Sequence, residues 1–98
     1  MSFDPLWRPI PGTGQNLTLG AASVPSAAFG AQTYAVRVTS SGNCHLAFGT
    51  GTPVAVATDL MLKSTDPAAF FRVAPGEKIA VLQDAASTGT VNVVEITH

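Results

Sequence analysis

The strongest constraint in this chain is a turn with an alternating apolar run on either side. Phe70-Phe71-Arg72-Val73 leads into Ala74-Pro75-Gly76-Glu77, and Lys78-Ile79-Ala80-Val81-Leu82-Gln83 leads out. Pro75 sets φ at about −65° for the first corner of a type II turn, and Gly76 accepts the positive φ required at the second. Period-two alternation is the pattern of half-buried strands, so Phe71 and Val73 share one face, Phe70 and Arg72 the other, and Ile79 and Val81 belong together. The segment reads as a β-hairpin.

Other short runs repeat the theme. Residues 32–39 alternate with Tyr34, Val36 and Val38 on one face and Arg37 and Thr39 outward. Ser40-Ser41-Gly42-Asn43 is turn chemistry, after which Cys44, Leu46 and Phe48 fall on a buried side, and the two runs suggest a second hairpin. Residues 16–19 alternate weakly, as an edge strand does. Gly49-Thr50-Gly51-Thr52-Pro53 interrupts the chain, and Val54-Ala55-Val56-Ala57 fits either a covered strand or a loop spanning a sheet. Residues 59–63 are too few between breakers to hold a helix and read as a short strand, with Ser64-Thr65-Asp66-Pro67 as the next turn. In residues 90–96, Val91 and Val93 share a face while Val94 and Ile96 share the other, which requires cover on both sides or a bulge near Val93.

Strands spaced by roughly ten residues and separated by turns point to an all-β fold. The expectation is a single-domain antiparallel β-sandwich of jelly-roll-like form, or a small barrel, over residues 32–98. An extended N-terminal arm would occupy residues 1–31, where Pro5, Pro9, Pro11 and Pro25 and four glycines interrupt any helix. That arm is not composed like a disordered tail, because Phe3, Leu6, Trp7 and Ile10 are bulky and apolar. Either it lies along its own domain with Trp7 capping the core, or these four residues bind a neighbouring subunit.

Composition bears on partners. Charged residues are 11% of the chain, against about 25% in ordinary globular domains. A surface so poor in ions is cheap to cover with protein, which favours a homo-oligomer or a larger assembly. A net charge of −1 with dispersed cations disfavours nucleic acid. No apolar stretch approaches the roughly 20 residues of a membrane span, and Met1-Ser2-Phe3-Asp4-Pro5 lacks the form of a secretion signal. Cys44 is the one cysteine, so no intrachain disulfide forms, and assembly in a reducing cytoplasm is compatible with the sequence.

The residues able to carry chemistry are His45, His98, Cys44 and six scattered carboxylates. Cys44 and His45 are adjacent, and on a strand adjacency sends side chains to opposite faces, which argues against a nucleophile and base pair. One cysteine and two distant histidines do not make a transition-metal site. Gly12-Thr13-Gly14 and Gly49-Thr50-Gly51 read as turns, since neither opens a helix or precedes a Lys-Ser/Thr pair. No catalytic, cofactor or metal residue is assigned and no enzyme is expected; His45 is expected on the outer face as an ordinary polar residue. Tyr34, Phe48, Phe70 and Phe71 are assigned to core packing, which weighs against a carbohydrate site.

Taken together, Tyr-Ala-Val-Arg-Val-Thr-Ser from Tyr34, Cys-His-Leu-Ala-Phe-Gly-Thr from Cys44, the run from Phe70 to Asp84 and Gly-Thr-Val-Asn-Val-Val-Glu ending at Glu95 form a pattern. It resembles the small β-sandwich virion proteins of tailed bacteriophages, of the capsid cement or decoration kind. The resemblance covers about two-thirds of the chain. It implies a non-enzymatic structural protein without cofactors, bound in many copies to the major capsid protein or other virion subunits as a dimer or trimer. Its location would be the virion, after assembly in the host cytoplasm. The arm has no residue match, and its role as the capsid contact rests on its own apolar content. A tail, neck or fibre-associated protein, and a small carbohydrate- or ligand-binding module, are the alternatives.

Overall fold

The computed structural model describes residues 7–97. Nine strands follow in order: β1 (Arg8–Pro9), β2 (Gln15–Thr18), β3 (Val24–Pro25), β4 (Ala35–Ser40), β5 (Cys44–Gly49), β6 (Leu60–Leu62), β7 (Ala69–Arg72), β8 (Lys78–Gln83) and β9 (Thr90–Thr97). They make two antiparallel sheets. The first runs β1-β9-β4-β7, with β2 pairing on β9 alongside β1, and the second runs β3-β8-β5-β6. Setting aside the two-residue β1, an order of β2-β9-β4-β7 against β3-β8-β5-β6 is the eight-strand plan of a jelly roll. The β-sandwich expectation holds.

The core is the space between the sheets. Val36 and Val38 of β4 and Val91 and Val93 of β9 face Cys44 and Leu46 of β5 and Ile79 and Val81 of β8, all buried. Branched side chains dominate because they pack well on a pleated surface. Phe71 of β7 meets Phe48 of β5 with ring centroids 5.0 Å apart and planes tilted by 49°, which ties the sheets together at one flank.

Both expected hairpins are corrected. The turn at Ala74-Pro75-Gly76-Glu77 forms, with Gly76 at φ +82° and the Glu77 amide donating to the Ala74 carbonyl at 3.1 Å. Yet β7 pairs with β4, whereas β8 pairs with β5 and β3. The turn is a bridge between sheets, and it is tied to Phe29, whose carbonyl accepts the Gly76 amide at 3.1 Å and whose amide donates to the Glu77 carbonyl at 2.8 Å. Ser40-Ser41-Gly42-Asn43 likewise carries the chain from β4 in one sheet to β5 in the other, held by the Ser41 amide on the Thr90 carbonyl. Alternation shows which side chains face inward, but an inward face is the same in a hairpin and in an arch across a sandwich.

The described part of the expected arm, residues 7–31, is built into the sandwich. β1 and β2 lie on β9, β3 lies on β8, and Phe29 is part of the core. The sheets therefore draw on residues well before 32. Residues 16–18 fall in β2, at the edge of the first sheet as expected. Residues 54–57 form a loop, with Ala55 buried and its amide on the Ser23 hydroxyl at 2.9 Å, and residues 60–62 are the expected short strand. β9 keeps a continuous register with β4 through Val93, so no bulge forms there, and on its outer face Val94 is half-buried and Ile96 buried.

Candidate functional site

Four parts of the chain converge at one end of the first sheet. Ala35 lies opposite Ile96 on one side and Arg72 on the other, and Arg8 lies opposite Thr97. Residues directly opposite each other share a face, so Ile96, Ala35 and Arg72 form one outward row. Trp7, immediately before β1, reaches the same place. A small residue in the middle of the row and large ones around it leave a cleft of about 620 Å³, bordered by Trp7, Tyr34, Phe70 and Arg72 with Ala35 and Ile96. Tyr34 is 61% exposed, Phe70 55% and Trp7 38%. Burying such rings returns about 25 cal/mol per Å² of apolar surface.

Arg72 is the charged side chain on this lining, accompanied by the polar Gln32 and Thr97. One row further along the sheet, Arg37 lies opposite Phe70 and Val94 and is exposed. The acidic residue of the neighbouring row, Glu95, points inward and is buried. Cationic and aromatic groups thus share this face.

Of the residues singled out as a partner-binding set, Trp7 is at the cleft. Ile10 is partly buried and its amide donates to the Glu95 carbonyl at 2.8 Å, which fastens this part of the chain to β9. Phe3 and Leu6 lie outside the described residues. Tyr34 corrects the expectation that it joins Val36 and Val38 in the core. Its neighbour Thr33 takes the inward place instead, and Tyr34 is turned out one residue before β4 begins. Phe70 is outward, as its parity with Arg72 implies, which corrects its assignment to core packing because a place in a strand does not by itself mean burial. Phe71 and Phe48 do pack inside.

The adjacent Cys44 and His45 do point apart. Cys44 is enclosed in the core and donates to the Leu62 carbonyl at 3.6 Å; desolvation raises its thiol above its ordinary pKa, outweighing the hydrogen bonds that lower it. His45 is on the outer face of β5 but is 3% exposed, which corrects the expectation of an ordinary polar surface residue. Its Nδ1 lies 3.1 Å from the Asp59 carbonyl and its Nε2 3.0 Å from Asp84 Oδ1, so neither nitrogen is left for a nucleophile. Among the described residues no group of three His, Cys, Asp or Glu side chains could hold a metal ion.

No protein-family model, curated protein or solved structure matches this chain.

Proposed function

We propose that this protein is a non-enzymatic virion structural protein, a cement or decoration protein that binds a phage head shell in many copies and docks through the cleft bordered by Trp7, Tyr34 and Phe70. The observation that carries the reading is the exposure of three aromatic rings around one concavity on a chain whose charge content is only 11%. Exposed aromatic clusters are typical anchors of protein interfaces, where a few such groups supply most of the binding energy. Arg72 and Arg37 give the partner's chemistry: an apolar projection for the cleft, flanked by carboxylates on the major capsid protein.

A cement protein must hold more than one neighbour. A second apolar group, Val54, Val56, Leu60 and Met61, is exposed on the loop before β6 and on β6 itself, part of the other sheet. Two such surfaces on different sheets suit a subunit that bridges two others, either two shell subunits or a shell subunit and another copy in a dimer or trimer. The jelly-roll strand order agrees with this role by analogy of fold, which is a weaker support than the surface itself.

The cleft also favours a second reading. Its volume of about 620 Å³ falls within the range of roughly 300–1,000 Å³ usual for small-ligand sites, and aromatic rings beside Gln32, Arg72 and Thr97 could stack and hydrogen-bond a sugar. Adding purified protein to shells that lack it separates the two. Saturable binding that weakens with Phe70→Ala and ignores added oligosaccharide supports the cement reading, and glycan-array binding by a monomer with no affinity for shells supports the other.

A further inference from the structure

His45 is held between two hydrogen-bond acceptors. It is in register with Met61 of β6 and Leu82 of β8, both apolar, on the outer face of the second sheet. The charged residues that face it are Asp59 from the loop preceding β6 and Asp84 just after β8, while Cys44 beside it on β5 points into the core. Each ring nitrogen meets an oxygen that only accepts: a backbone carbonyl at 3.1 Å and a carboxylate at 3.0 Å. A neutral imidazole has one N–H and one lone pair, so it can satisfy one of these oxygens and must turn a lone pair on the other. The Asp84 side chain is 34% exposed and water can solvate its negative charge.

The loop carrying Asp59 has its own bracing. The Asp59 amide donates to the Val56 carbonyl at 3.0 Å and the Val56 amide to Asp59 Oδ2 at 2.8 Å, a compact turn that aims the Asp59 carbonyl at His45. Ala55 provides a second attachment through the Ser23 hydroxyl, which does not titrate near neutral pH. His45 is thus the protonation-dependent one of the two attachments, and the loop it holds displays the exposed Val54 and Val56.

We propose that His45 is a doubly protonated imidazolium that clips the loop of residues 50–59 to the sandwich, and that loss of one proton loosens this loop and the apolar surface it carries. Burial opposes the charge, while the Asp59 carbonyl and the Asp84 carboxylate favour it more, so the ring titrates above its ordinary value. The clip is closed while the ring holds both protons and opens as pH rises through a value above the ordinary imidazole one.

The test is a pH titration of the His45 ring nitrogens by ¹⁵N NMR in the full chain carrying His98→Gln, with amide exchange followed in parallel. The expected result is two protonated ring nitrogens that persist to a pH above the ordinary imidazole value. On deprotonation above the ordinary imidazole range, exchange protection at Val56 and Asp59 falls about tenfold after correction for intrinsic rates, while Val81 and Val91 keep theirs. Asp84→Asn should move both transitions together to lower pH. A ring that loses its second proton at or below the ordinary imidazole value, or a ring transition with no change in loop protection, overturns the proposal. Because the titration is read on the folded protein, it decides the matter even if His45 variants fail to fold.

Discussion

The Thr33 hydroxyl donates to the buried carboxylate of Glu95, and this contact places Tyr34 at the cleft. Glu95 Oε1 also accepts the Gly30 amide at 3.0 Å, so one inward carboxylate of β9 holds both ends of the turn of residues 30–33. Thr33 fills the inward position two residues before β4, and the next side chain, Tyr34, turns outward. Glu95→Ala would strand the buried Thr33 hydroxyl and remove the acceptor of the exposed Gly30 amide, and a loss of about 1–3 kcal/mol is expected in denaturant unfolding. Glu95→Gln keeps an acceptor oxygen and should lose less. Under the proposed cement role, the Glu95→Ala protein should also bind shells more weakly if it remains folded, because Tyr34 is no longer held.

The other end of the sandwich depends on a close approach. A Cβ on Gly42 would lie 2.2 Å from the Thr88 carbonyl oxygen, a backbone atom, so one of the two crossings between sheets must shift to admit it. Gly42→Ala should destabilise the fold by roughly 2–3 kcal/mol. At Gly51 an added Cβ meets open space, although φ is +74°, so Gly51→Ala carries only backbone strain and should cost about 1 kcal/mol. Comparing the two denaturation midpoints checks the ranking.

These contacts show what the sequence could and could not reveal. The inward residues of β4, β5, β8 and β9 were legible, because alternation depends on the local pleat alone. The partners of β7 and β8 were not, since Phe71 and Ile79 face inward whether their strands are neighbours in one sheet or face each other across the core. Tyr34 was misplaced because its orientation is set by Glu95, 61 residues further along the chain. His45 was read as solvated because its cover is a loop that alternation does not describe. Trp7 was legible as a spare apolar group, and the cleft beside it was not, since it depends on Ala35 lying between Ile96 and Arg72.

Protonation of His45 has a global consequence with a definite sign. The folded-state pKa is raised, so the charged ring's contribution to stability is complete below the unfolded value of about 6.5 and is lost as pH rises through the folded value. Unfolding free energy should therefore decline from pH 6 towards alkaline pH in a segment that His45→Gln removes. Urea midpoints at a series of pH values check it, and an increase over that interval attributable to His45 would contradict the sign.

At the cleft, stability and binding should separate. Phe70 is 55% exposed, so Phe70→Ala should change unfolding free energy by less than about 1 kcal/mol. If the ring is an interface anchor, the same substitution should weaken attachment by about 30-fold, the equivalent of roughly 2 kcal/mol. Trp7→Ala should behave alike, with a somewhat larger effect on stability because Trp7 is less exposed.

The most direct test of the proposed cement role is the occupancy of this protein on purified phage head shells, imaged after adding wild-type, Trp7→Ala or Phe70→Ala protein at matched concentrations. The account predicts that wild-type copies fill a regular set of lattice positions with the Trp7–Phe70 cleft against the shell, and that both variants leave most positions empty. Equal occupancy by all three proteins, or wild-type protein bound with that cleft facing solvent, would contradict it.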